Sequence, residues 1–143
     1  MHFSLNGQPD RYGSKFELLV ISLLFFVISF LFSLFVHKRY AFLRNFPYLI
    51  NIPAFYLYAE KLGEDRKAFW IGQYFEFLAI VVFLTNLLFV IIEFFIYFGG
   101  KNARMPSCFN FVFFFYIGFL LVFTFGYLFG LYRKIKKEAE SVF

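Results

Sequence analysis

Three stretches of this chain are apolar for long enough to cross a bilayer, and short polar segments separate them. The first runs from Phe16 to Val36 and carries one charge, Glu17, at its mouth. The second, Phe69 to Phe98, has a centre free of charge between Phe77 and Ile92. The third, Phe109 to Tyr132, carries no charge at all. A span needs about 20 apolar residues, so the pattern predicts an all-α, polytopic membrane helix bundle forming one domain. The expected order is an outer loop over 1–15, helix 1 over 16–36, an inner loop over 37–68 and helix 2 over 69–98. An outer loop over 99–108, helix 3 over 109–132 and a basic inner tail over 133–143 complete it.

A fourth apolar segment, 42–59, contains Pro47 and Pro53. Each proline removes a backbone donor and clashes with the preceding turn, which would leave polar backbone in lipid. The segment is therefore expected to lie at the interface or re-enter rather than span. Gly63 followed by Glu64 and Asp65 reads as a helix start, with the acids complementing the amino-terminal dipole. Helix 2 is thus expected to begin near residue 64, with its first two turns in the cytoplasm.

Composition excludes a soluble fold. Hydrophobic residues make up 62% of the chain, and 28 Phe with 10 Tyr exceed what a domain of this size can bury. The lone Cys108 rules out a disulfide framework or a cysteine-rich metal site. No nucleophile–base pair, phosphate-cradling glycine loop or metal-ligand cluster appears, so a non-enzymatic role without cofactors is expected. With three crossings, Lys38, Arg39, Arg44, Lys61, Arg66, Lys67, Arg133, Lys134, Lys136 and Lys137 share one side, leaving Arg11, Lys15, Lys101 and Arg104 on the other. Ten against four puts the amino terminus outside and the carboxyl terminus inside the cytoplasmic membrane. The tail charges read as a lipid anchor rather than a nucleic-acid surface. Tyr48, Tyr56, Tyr58 and Trp70 suit the headgroup layer.

The amino-terminal loop is dense in turn chemistry. Asn6-Gly7 tolerates positive φ, Pro9 fixes a bend, and Ser14 with Glu17 forms a capping box for helix 1. An ordered extracytoplasmic loop follows. Turn chemistry leaves His2 and Asp10 unexplained, and the pair suggests a small polar site for a peptide or an ion. His2, Phe3, Gly7, Pro9, Asp10, Ser14 and Lys15 match the signature P-x-H-F-x-x-x-G-x-P-D-x-x-x-S-K. In this the chain resembles the SdpI-like membrane proteins, whose best-known member is an immunity protein against a secreted toxin. The resemblance implies toxin immunity or sensing, with a secreted peptide or another membrane protein as partner beside the lipid bilayer. The family carries a membrane helix before this signature, so the Met1 start is expected to be trimmed or misassigned.

Polar residues inside a membrane are costly and point to function by default. Asn86 and Glu93 lie seven residues apart on one helix face, with Tyr97 four further on, while Glu76 is about 100° around from Glu93. Glu76 and Glu93 are separated by 17 residues, about 25 Å of helix, which suits opposite interfaces. Alternatively, Asn86 and Glu93 face the interior and hold a cation or proton, as in an ion-coupled transporter component. An accessory subunit of a larger membrane complex is a third reading. In helix 3, Gly118, Gly126 and Gly130 lie on one face with Val122, and helix 1 offers Ser22, Ser29 and Ser33. Small residues allow close helix approach, so helix 3 is expected to pack on helix 1 or, alternatively, on a second copy of the chain.

Overall fold

The computed structural model describes residues 2–4, 9–11, 14–45, 52 and 55–141. Two short strands, β1 (His2–Phe3) and β2 (Pro9–Arg11), pair antiparallel with an irregular register. Five helices follow: α1 (Lys15–His37), α2 (Arg39–Asn45), α3 (Phe55–Tyr58, continued by a 3-10 turn over Ala59–Lys61), α4 (Glu64–Asn102) and α5 (Phe109–Glu140). Of these, α1, α4 and α5 are long and apolar enough to cross a membrane. The protein is a multi-pass membrane protein by this measure.

Local chemistry explains the helix ends. The Glu17 amide donates to the Ser14 Oγ at 3.3 Å and to the Ser14 carbonyl at 3.2 Å, the capping expected at the start of α1. At the start of α4, the Gly63 carbonyl accepts from Arg66 and Lys67, and Glu64 and Asp65 occupy the first turn. The 39 residues of α4 extend for about 58 Å, well beyond the roughly 30 Å of a hydrocarbon core. At its far end, Arg104 N–H bonds back to the Gly99 carbonyl, and Ala103 turns the chain at φ 52°. A left-handed alanine costs about 1 kcal/mol or more, and α5 begins six residues later.

The structure moves several expected boundaries. Helix 2 runs past 98 to Asn102, and helix 3 continues through the basic tail to Glu140. The tail is therefore helical, and amphipathic for a clear reason. Leu131, Ile135 and Ala139 recur every four residues and are buried, while Arg133, Lys134 and Lys137 point outward. Helices α2 and α3 are each far too short to span; Pro47, Pro53 and Tyr48 lie outside the described residues.

By its contacts the chain divides into two compact units, each containing parts of α1, α4 and α5. One comprises Met1–Phe32 with Val82–Leu120, the other Ser33–Val81 with Leu121–Phe143. The second unit holds a hydrophobic core of Ile52, Leu62, Trp70, Phe75, Leu131, Ile135 and Ala139. Ile52 and Leu62 share this core with residues of α4 and α5, with Phe55 and Tyr58 packed beside it. Trp70 is a core residue, 6% exposed, whose Nε1–H donates to Glu138 Oε2 at 3.1 Å. Arg66 completes this clamp with two charge-assisted bonds to Glu138, at 2.5 and 2.6 Å. Phe77 stacks on Tyr127 at 4.6 Å, and the Tyr127 hydroxyl donates to the Gln73 carbonyl.

Among the described residues, the helix-packing role expected of Gly118, Gly126 and Gly130 is not met. A Cβ added at any of the three would meet nothing within 4 Å. Tyrosines, phenylalanines and the Leu131–Ile135–Ala139 stripe make the contacts of α5 instead. Gly126→Leu is accordingly expected to leave the monomer's thermal stability in detergent unchanged, or to raise it by up to about 1 kcal/mol through helix propensity. A clear loss of monomer stability would return the glycine face to a packing role inside the chain.

The clamp carries a pH signature, because both of its ionised ends lie outside the spanning segments. Hydrogen bonding to Arg66 holds the Glu138 carboxyl below its ordinary value, and bonding raises the Arg66 guanidinium in turn. A carboxyl depressed by folding contributes stability above the unfolded carboxylate range, near pH 4.3, and that contribution is lost as pH falls through the lower folded value. Melting curves between pH 7 and pH 3 should therefore show a larger acid loss for the wild type than for Glu138→Gln. Parallel curves would mean that the clamp contributes nothing measurable.

Candidate functional site

Within the first unit, α1 and α4 present the same spacing to one another. Ser22, Phe25 and Ser29 follow an i, i+3, i+7 pattern on α1, and Asn86, Phe89 and Glu93 follow it on α4. That spacing places each trio along one helix face. Phe25 and Phe89 lie ring on ring, with centroids 3.6 Å apart and planes 3° from parallel. Ser29 is hydrogen-bonded to the side-chain amide of Asn86.

Each serine also satisfies its own helix. The Ser22 hydroxyl donates to the Leu18 carbonyl at 3.0 Å, and the Ser29 hydroxyl lies 2.7 Å from the Phe25 carbonyl. Such back-bonding is how hydroxyls are accommodated in apolar helices. A further cross-helix bond in this unit runs from the Tyr116 hydroxyl of α5 to the Leu84 carbonyl of α4 at 2.9 Å.

Around these trios lies a cavity of about 270 Å³. Its polar lining is Ser22, Ser29, Asn86 and Glu93; its apolar lining is Phe25, Phe26, Phe89 and Val90. Phe26 and Val90 are 68% and 62% exposed, so the cavity opens between them onto the helix exterior. In a membrane that exterior is acyl chain.

Glu93 differs from the other acidic residue of the same span. Glu76 accepts a bond from Gln73 Nε2 at 3.0 Å, one helical turn away. Glu93 has no hydrogen-bond or ion-pair partner among the described residues. It stands eight residues before Lys101, about 12 Å along α4.

The structure thus brings Asn86 and Glu93 into one cavity. It also corrects the expected role of Ser22 and Ser29, which face α4 rather than a glycine stripe on α5. Those two serines escaped attention as pocket residues; the matching seven-residue intervals Ser22–Ser29 and Asn86–Glu93 were the available signal.

For the amino-terminal candidates the placement is coarser. His2 and Phe3 lie in β1, and Pro9 and Asp10 in β2. Ser14 caps α1 and Lys15 opens it, both exposed. Gly7 lies outside the described residues. No group of three or more His, Cys, Asp or Glu that could hold a metal occurs among the described residues.

No family model matches this chain. It is similar to an uncharacterized protein of Archaeoglobus fulgidus, 28% identical over 137 residues, which is 96% of this chain and 75% of the relative. No solved structure matches. The likeness extends over nearly the whole chain, both sides of the cavity included.

Removing the Ser29–Asn86 bond tests whether it helps hold α1 to α4. In a double-mutant cycle of Ser29→Ala and Asn86→Leu, the expected coupling is about 0.6 kcal/mol, and no more than roughly 1.7. Thermal unfolding in a single detergent would supply all four values. A coupling of zero would mean that aromatic stacking alone joins these faces.

Proposed function

We propose that this chain is a non-enzymatic, SdpI-like protein of the cytoplasmic membrane that acts by binding, with the Asn86–Glu93 cavity as its ligand seat. The observation that carries the reading is a carboxylate without a partner among the described residues, lining a cavity that opens toward lipid. An ionised group inside a membrane is costly unless something neutralises it. A ligand arriving from the bilayer would do so. The ten-to-four distribution of Lys and Arg supports an outside amino terminus and an inside carboxyl terminus.

The signature residues His2, Phe3, Gly7, Pro9, Asp10, Ser14 and Lys15 favour immunity or peptide sensing as the purpose of that binding. The same cavity also favours a second reading, in which Asn86 and Glu93 pass a proton or cation as part of a transporter. Flux measurements in proteoliposomes separate the two. Under an imposed proton or sodium gradient, wild-type and Glu93→Gln vesicles are expected to leak equally. Flux that depends on Glu93 would replace the binding reading with the transport one.

A further inference from the structure

The chemistry of the cavity narrows its ligand, and the narrowing rests on the binding reading above. The polar lining supplies one carboxylate, one amide and two hydroxyls. The side-chain amide of Asn86 is already engaged by Ser29. Calcium takes roughly six to eight oxygens, and magnesium demands near-octahedral geometry; the cavity offers neither a second carboxylate nor a histidine or cysteine. An anion is opposed by Glu93, and Lys and Arg are absent from the lining.

Three phenylalanines line the same space. Aromatic rings attract organic cations through their negative faces, and quaternary ammonium groups are the usual guests of such surroundings. The mouth between Phe26 and Val90 faces lipid, so entry favours a molecule that already partitions into the bilayer. A hydrated metal ion has no such route. Glu93 lies about 12 Å along α4 from Lys101, so a free amine and a lipid headgroup drawn toward it are both sources of an ammonium group.

We infer that the cavity lined by Ser22, Ser29, Asn86, Glu93 and the phenylalanines Phe25, Phe26 and Phe89 binds the ammonium group of a single-chain amphipathic amine. Glu93 neutralises the cation, whose methyl or methylene groups lie beside the Phe25–Phe89 stack and Phe26. The alkyl tail leaves through the mouth between Phe26 and Val90 and lies among the acyl chains.

The test uses the full chain in nanodiscs of phosphatidylglycerol, which carries no ammonium group. Dodecyltrimethylammonium, kept below its micelle-forming concentration, is titrated while thermal unfolding and direct binding are followed. Dodecanol, sodium and calcium serve as controls. Glu93→Gln removes the charge, and Val90→Trp narrows the mouth from an exposed position while leaving every polar side chain of the lining in place. The expected result is saturable binding by the wild type, at least tenfold weaker in both variants, which unfold like the wild type without ligand.

Equal binding of dodecanol, lost in Val90→Trp, would overturn the ammonium assignment while leaving the cavity a binding seat. Binding of sodium or calcium through Glu93, without dodecyltrimethylammonium, would do the same. Identical behaviour of wild type and Val90→Trp toward every probe would overturn the seat itself. Repeating the titration in phosphatidylethanolamine identifies the source of the ammonium. Competition seen only with an intact Glu93 would support the ammonium chemistry with the lipid as donor, and absence of competition would support a free amine.

Discussion

Hydrocarbon offers no partner to a polar group, and that constraint governs what this chain can do between its polar ends. Backbone groups must be satisfied inside each spanning segment, which is why α1, α4 and α5 are long, continuous helices. Side chains obey the same rule. Ser22 and Ser29 bond to carbonyls one turn back, and Tyr116 and Tyr127 reach carbonyls of α4. Asn86 meets Ser29, and Glu76 meets Gln73. Each polar group so paired avoids a desolvation penalty of about 1–3 kcal/mol.

The two units meet this constraint with different means. In Ser33–Val81 with Leu121–Phe143, burial does most of the work: Ile52, Phe75, Ile135 and Ala139 are almost wholly enclosed. The polar clamp of Arg66, Trp70 and Glu138 sits at the edge of that core, where α4 and α5 run beyond the apolar spans. In Met1–Phe32 with Val82–Leu120, α1 has no buried residue at all. Its large apolar side chains face outward, as suits lipid, and specific contacts to α4 pass through the Ser22–Phe25–Ser29 face.

Much of this was legible in the amino acids. Span number, the cap at Ser14, the start of α4 after Gly63 and the shared face of Asn86 and Glu93 all follow from periodicity and turn chemistry. The rest failed for identifiable reasons. Charge in the tail masked the four-residue apolar spacing of Leu131, Ile135 and Ala139, so the helix was ended too early. The burial of Trp70 has no local signal, because its partner Glu138 lies 68 residues away. Glycines at four-residue spacing permit close approach but do not require it, and here the adjacent space is open. The side-chain surroundings of His2 and Asp10 stay outside what the fold describes.

Glu93 is what the shared constraint makes conspicuous. Replacing it by an apolar residue would be a simple way to stabilise the span, because an unpaired carboxylate among phenylalanines contributes nothing to packing. A glutamate near water could be tolerated as mere surface. This one lines a cavity, shares its helix face with Asn86 and stands opposite Ser22 and Ser29 on α1. Two helices therefore contribute polar groups at matched intervals to one open cavity that apolar residues would otherwise close. A structural account explains Asn86 through Ser29 and each serine through its own carbonyl, but it leaves the carboxylate without a purpose. A cation supplied from outside the chain gives it one.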